Sequence, residues 1–267
     1  MSIGTKEGTE GEIRLVKKLN KDKNSELWDK LEFVRKKENT YAIHVIQHQF
    51  SRVSNQRVKP KADVFLAFGN VPVDYLKEKA YYLSEDDLTK FRLSKIDNSG
   101  ISVKREDSSS YQIHKFPPNT FNSVFGCYEL GAGMSIYCKK ADELSKNNAV
   151  LKGWKTSWEN FERYFKFIPA IETLKYNSID SSKRLKIAKQ IKKYSKTKIE
   201  KDIMENPNIS DFIFKGIGTF NEPYSVHWLY DHGKLKSDTQ IPFYATTGSG
   251  RSRGDFTVVI KPKKIKK

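Results

Sequence analysis

The apolar positions along the chain change period several times. Over residues 8–20, Ile13, Val16 and Leu19 recur at helical spacing with Lys17 and Lys18 opposite. Glu10 and Glu12 are expected in the first turn of that helix, where the dipole favours acids. Residues 25–37 predict a second helix with Leu27, Trp28 and Leu31 inward. At residue 40 the period falls to two. TYAIHVIQHQF (40–50) is β-branched, aromatic and alternating, which predicts a strand. Residues 62–68 predict a second strand, and their near-continuous apolar run predicts burial on both faces. Ser84 with Asp87, ahead of Leu88 and Phe91, has the form of a capping signal.

DNSG (97–100) reads as a turn, 101–105 as a third strand and 111–116 as a fourth. Pro117 and Pro118 open a helix that runs through Phe125. Gly131-Ala132-Gly133 reads as a turn and lacks the glycine spacing of a dinucleotide site. Trp158, Phe161, Phe165 and Ile168 form an aromatic stripe that belongs to a core. Residues 182–205 set many lysines beside Leu185, Ile187, Ile191 and Ile199, an amphipathic helix. Its basic face is either simply solvated or a phosphate-tracking surface. Strand signals return at 224–230, 240–245 and 255–262. No linker interrupts the pattern, so the expectation is one α/β domain over 1–267. Its core is 1–126, with a helical and β elaboration over 127–267.

Charge changes the picture most. The 267 residues hold 49 Lys and Arg against 32 Asp and Glu, a net charge of +17, which points to an anionic partner, nucleic acid first. With 16 Phe, 13 Tyr and 4 Trp, the chain can still fill a sizeable core. No apolar run approaches the ~20 residues of a spanning helix. The opening MSIGTKEGTEGE is polar and acidic, unlike a secretory signal. Cys127 and Cys138 alone make neither a disulfide framework nor a metal site, so reduced thiols in a cytoplasmic protein are expected.

One acid stands out. KPKADVFLAFG (59–69) sets Asp63 at the head of an apolar strand. Ser102 and Lys104 share parity on another strand, so both side chains point to one face. If the two strands are neighbours, Asp63, Ser102 and Lys104 converge. An acid on one strand followed by a strand ending in acid-x-Lys resembles the PD-(D/E)xK nuclease core of many type II restriction endonucleases. Here the Pro-Asp pair is relaxed to Pro60-Lys61-Ala62-Asp63, and Ser102 stands where the second acid is expected. Glu12 resembles the glutamate that the family's first helix often adds. Gln112, in ISVKREDSSSYQIHKF (101–116), is similar in position to a Gln that follows the catalytic lysine in some members.

The resemblance implies a mixed central sheet flanked by helices, with the C-terminal elaboration serving DNA recognition. It implies Mg²⁺-dependent hydrolysis of phosphodiester bonds in double-stranded DNA at a short specific sequence. Asp63, Glu12 and the carbonyl of Val103 would hold the metal, and Lys104 would neutralise the phosphate and orient the attacking water. A homodimer or a monomer would act, paired in the host with a DNA methyltransferase specific for the same site. DNA-repair nucleases and junction resolvases share this core and are the nearer alternative. A non-catalytic nucleic-acid-binding protein is the more distant one, although such a binder gains nothing from a carboxylate beside DNA phosphates.

The segment TTGSGRSRGDF (246–256) combines small residues with Arg251 and Arg253, which can pair with guanine or with phosphate. Asp255 could accept from cytosine or orient an arginine, and Ser249 and Ser252 could touch either. Lys61, Arg105 and Lys115 are expected as phosphate contacts. His44 and His48 share one strand face and read as surface or structural, because no further ligand completes a zinc pattern. His227 and His232 flank Trp-Leu-Tyr-Asp, a hairpin signal.

Overall fold

A computed structural model describes the chain except residues 1–2, 32–33, 35, 47–60, 105–111, 139–142, 178, 219–223, 249–255 and 264–267, and without the side chains of 3–8. It contains helices and a mixed sheet of antiparallel and parallel strands, an α/β protein. The chain divides into two compact units, 1–109 with 210–241, and 110–209 with 242–267.

The first unit contains α1 (Ile3–Lys21), α2 (Glu26–Lys30), β1 (Thr40–His44), β2 (Val64–Phe68), α3 (Val73–Glu78), α4 (Glu85–Lys90), β3 (Ser94–Lys95) and β4 (Ile101–Val103). After the second unit, β6 (Trp228–Asp231) and β7 (Lys234–Lys236) complete it. The strand order is β1-β2-β4-β6-β7, with β3 also on β2. β2 runs antiparallel to β1, β3 and β4, and β6 lies parallel to β4 and antiparallel to β7. Central β2 is buried at Val64, Phe65, Leu66 and Ala67, as its continuous apolar run requires.

α1 buries Leu15, Val16 and Leu19 and packs on β1. Its Asn20 amide donates to Ala42 O at 2.8 Å and accepts from Ala42 N at 2.9 Å. One side chain thus satisfies an edge strand's backbone as a neighbouring strand would. The helix begins at Ile3, so Glu12 lies in its middle rather than in its first turn. The second predicted helix is also shorter than its pattern. α2 ends at Lys30, and a 3₁₀ turn forms at Lys37–Asn39. Leu31 N bonds to Trp28 O and Val34 N to Leu31 O, so burying Trp28, Leu31 and Val34 at three-residue spacing favours tight turns. The Ser84–Asp87 capping box is present in both directions. His232 (φ 48°) and Gly233 (φ 77°) make the two-residue turn of the β6–β7 hairpin.

The second unit contains β5 (His114–Phe116), α5 (Pro118–Phe125), α6 (Tyr128–Ser135), α7 (Leu144–Gly153), α8 (Trp158–Tyr164), α9 (Ser181–Glu205), β8 (Phe243–Thr247) and β9 (Val258–Pro262). α10 (Pro207–Phe214) returns the chain to the first unit. A three-stranded sheet, β5-β9-β8, pairs antiparallel throughout. Phe116, Phe121, Trp154, Phe161 and Phe165 are fully buried, and the Phe121 ring packs edge-on to Trp154 at 5.3 Å. Gly131 and Gly133 do not form a turn; they lie inside α6. A Cβ on Gly131 would sit 2.1 Å from the Trp154 ring, and one on Gly133 would sit 2.3 Å from Ser195 Oγ. Close helix packing, not backbone reversal, is what these glycines permit. Among the described residues no helix is long and apolar enough to cross a membrane.

Candidate active site

The side-by-side placement of β2 and β4 creates the cluster. Asp63 precedes β2 and is held on both sides by backbone bonds: its N–H donates to Ile101 O at 2.9 Å, and its carbonyl accepts from Val45 N at 2.9 Å. One step beyond the last β2–β4 pair, Val64 opposite Ile101, the Asp63 side chain takes over. Val103 N–H donates to Oδ2 at 2.7 Å, and Ser102 Oγ–H donates to the same oxygen at 3.3 Å. Lys104 Nζ donates to Ser102 Oγ at 2.7 Å. A hydroxyl can accept one bond while giving another, so Ser102 links ammonium to carboxylate. Lys104 itself is fixed by its N–H on Tyr230 O at 2.8 Å, which extends the parallel pairing with β6.

Glu12 approaches from α1. Its Oε2 accepts from His44 Nε2 at 2.9 Å, and His44 is only 6% exposed. This histidine, read from sequence as surface or structural, is therefore buried and aims an acid at the cluster. His48 lies outside the described residues.

The electrostatics are those of half-buried charges crowded together. Burial first, and then the negative charge of Glu12, push the Asp63 carboxyl up to about 6, against the pull of Lys104, Val103 N–H and Ser102. Burial lowers the Lys104 pKa, while Asp63, Glu12 and Asp231 act to raise it. Lys61 falls to about 7, through burial and then the charge of Lys104, partly offset by Asp63. The two lysines and three acids thus share one field.

All four residues expected in catalysis, Glu12, Asp63, Ser102 and Lys104, come together, with Val103 between the last two. Lys61 lies with them rather than as a free phosphate contact. Gln112 and Lys115 belong to the second unit, where both are exposed, Lys115 on β5. Arg105, Ser249, Arg251, Ser252, Arg253 and Asp255 lie outside the described residues. Sequence reasoning missed His44 as the partner of Glu12. It also missed Asp231, on β6, as an acid facing Lys104; its own pKa is lowered, with bonds from Lys236 and His232 opposing its burial. Only the β4–β6 adjacency could have revealed it.

The donor set suits a hard divalent cation. Asp63 and Glu12, two carboxylates whose proximity is unfavourable, and the backbone carbonyl of Val103 are oxygen donors of the kind Mg²⁺ takes. Among the described residues no group of three or more His, Cys, Asp or Glu side chains gathers for a metal. Compared with known proteins, the chain matches no family model, no curated protein and no solved structure.

Proposed function

We propose that the protein is a Mg²⁺-dependent endonuclease of the PD-(D/E)xK kind, and within that group a type II restriction enzyme cutting double-stranded DNA at a short sequence. The observation that carries the reading is the Asp63–Ser102–Lys104 chain of hydrogen bonds, with Glu12 opposing Asp63, in a protein of net charge +17. A structural role would be met by one neutralised pair. Instead, Asp63, Lys61 and Lys104 are crowded beside Glu12, and burial works against the charged form of each of the three.

Asp63 and Glu12 would hold the ion, with the Val103 carbonyl as a third oxygen. Bound there, Mg²⁺ supplies a lowered pKa for its water and charge stabilisation at the phosphorus. Lys104 would place its ammonium against the scissile phosphate and orient the attacking water. Ser102 would hold that ammonium in register with Asp63. The acid missing from position 102 is made good by Glu12, which His44 holds in place. Base reading is assigned to Ser249, Arg251, Ser252, Arg253 and Asp255, with Arg105, Gln112 and Lys115 on the DNA backbone.

Purified protein incubated with phage DNA and Mg²⁺ tests the reading. Discrete fragments are the expected result. A smear would favour a non-specific nuclease with the same centre. Intact DNA at every protein concentration, with binding retained, would leave only a binder and overturn the enzyme.

A further inference from the structure

The two halves of α9 carry their lysines differently. In the second half each is matched to an acid one turn on: Lys196 with Glu200 at 3.9 Å, Lys198 with Asp202, and Lys201 with Glu205 at 3.8 Å. This half is also tied to β8, where Ala245 N–H donates to Glu200 Oε1 at 2.8 Å and Lys196 lies over the Tyr244 ring. The first half has no acid at all between Ser181 and Ile199. Lys183, Lys186, Lys189 and Lys193 are exposed there, Lys192 is half-exposed, and none of the five has an ion-pair partner among the described residues.

Helical spacing puts Lys183, Lys186, Lys189 and Lys193 along the side opposite buried Ile187, Ile191 and Ser195. Arg184 is not part of this row. It is buried, donating to Tyr176 O and Asn177 Oδ1. The arrangement is the reverse of what the helix alone would favour. Cations near the N-terminal end oppose the dipole, and like charges three or four apart repel. A fold selecting only for stability would place the acids here. The unpaired row spans about 15 Å of helix axis, long enough to follow several phosphates of a duplex strand.

We propose that this lysine face of α9 is a phosphate-tracking surface for double-stranded DNA. It rests on the nuclease reading for the choice of partner and adds a sequence-independent anchor outside the candidate active site. Its lysines position the duplex without reading bases, and they carry a defined share of the counterion release.

The test measures affinity for a random-sequence duplex by fluorescence anisotropy in EDTA, over a range of salt. The variant Lys183→Gln, Lys186→Gln, Lys189→Gln, Lys193→Gln is compared with wild type. The expected result is a slope of log affinity against log salt shallower by about 3–4, from ~0.9 for each phosphate that is no longer neutralised. Replacing the same four with Arg should keep the wild-type slope, and Lys198→Gln with Lys201→Gln should change it by less than about 1. Gln is nearly as good a helix former as Lys, so circular dichroism should be unchanged; the Arg variant carries the test if it is not.

An unchanged slope in the four-Gln variant overturns the proposal, as does a wild type that does not bind duplex at low salt. Loss of binding to phosphatidylserine vesicles with retained duplex binding would assign the face to a membrane and also overturns it. Failure here is separable from failure of the nuclease. Cutting in Mg²⁺ with an unaltered slope spares the enzyme and removes the α9 surface. Slope loss with no cutting spares the surface and removes the enzyme.

Discussion

The first unit and the second bury polar groups in different ways. At the β2–β4 end of the first sheet, Asp63, Lys61 and Lys104 lie in one field with Glu12 and Asp231, and burial works against the charge of each of the three. In the second unit two buried polar side chains bond to nearby backbone, while Thr173 Oγ1 and Ser195 Oγ are buried with no hydrogen-bond partner among the described residues. Asn147 Oδ1 accepts from Tyr137 N at 2.7 Å, and Arg184 donates to Tyr176 O at 2.7 Å, around a core of Phe116, Phe121, Trp154, Phe161 and Phe165. A local bond to backbone satisfies a group and ends there. A shared field among ionisable groups leaves a tension that a change of protonation or a further charged partner relieves. The contrast supports the proposal above, which puts the chemistry in the first region.

The largest expected effect separates them by activity. Asp63→Ala and Lys104→Ala should each lower DNA cleavage by about 10³-fold or more, the loss seen when a group stabilising transition-state charge is removed. Duplex binding in EDTA should persist in both. A gel assay with Mg²⁺ measures the first and anisotropy the second. Retained cutting by Asp63→Ala would reassign the site.

Next is the packed region. Phe121→Ala removes a fully buried ring that touches Trp154 and Phe125, and should destabilise the second unit by about 3–5 kcal/mol. Gly131→Ala should cost about 1–3 kcal/mol by driving a methyl into Trp154. Denaturant unfolding followed by tryptophan fluorescence reads both. Metal-induced stabilisation of the first unit should survive either change.

In the first region a substitution should do the opposite. The Asp63 carboxyl rises from 3.8 to about 6 on folding, so the folded state holds a proton that the unfolded chain releases between those values. Stability from this group is full below about pH 4, falls as pH rises through 6, and stays low above. Asp63→Asn removes that dependence. It should be more stable than wild type at pH 7, by on the order of 1–3 kcal/mol, and equal to it at pH 3.5. Mg²⁺ should raise the wild-type unfolding midpoint and leave that of Asp63→Asn unmoved. A variant less stable than wild type at neutral pH would show that the carboxylate is a structural asset.

How much of this was legible depended on the range of the interaction. Asp63, Ser102 and Lys104 could be found because strand parity is local and their two strands are neighbours. The helix at 118–125 and the capping box at Ser84 were written in adjacent residues. Asp231 was not legible, because β6 reaches β4 only after the second unit has intervened. His44 was not, because its role depends on how α1 lies against β1. Gly131 and Gly133 were misread for a related reason: the demand for a small residue came from Trp154 and Ser195, not from their own backbone.

The smallest effect tests the link within the cluster. Ser102 accepts from Lys104 at 2.7 Å and donates to Asp63 at 3.3 Å, while Val103 N–H holds Asp63 more closely at 2.7 Å. Ser102→Ala therefore leaves the carboxylate anchored and releases only the lysine. Cleavage should fall by about tenfold, roughly 1.4 kcal/mol, consistent with the loss of one hydrogen bond to a charged group. Metal-induced stabilisation should be nearly unchanged, because Asp63 and Glu12 remain. Ser102→Thr, which keeps the hydroxyl, should recover most of the rate. A loss as large as that of Lys104→Ala would mean that the hydroxyl itself touches the reacting phosphate, and Ser102 would then count as a catalytic residue.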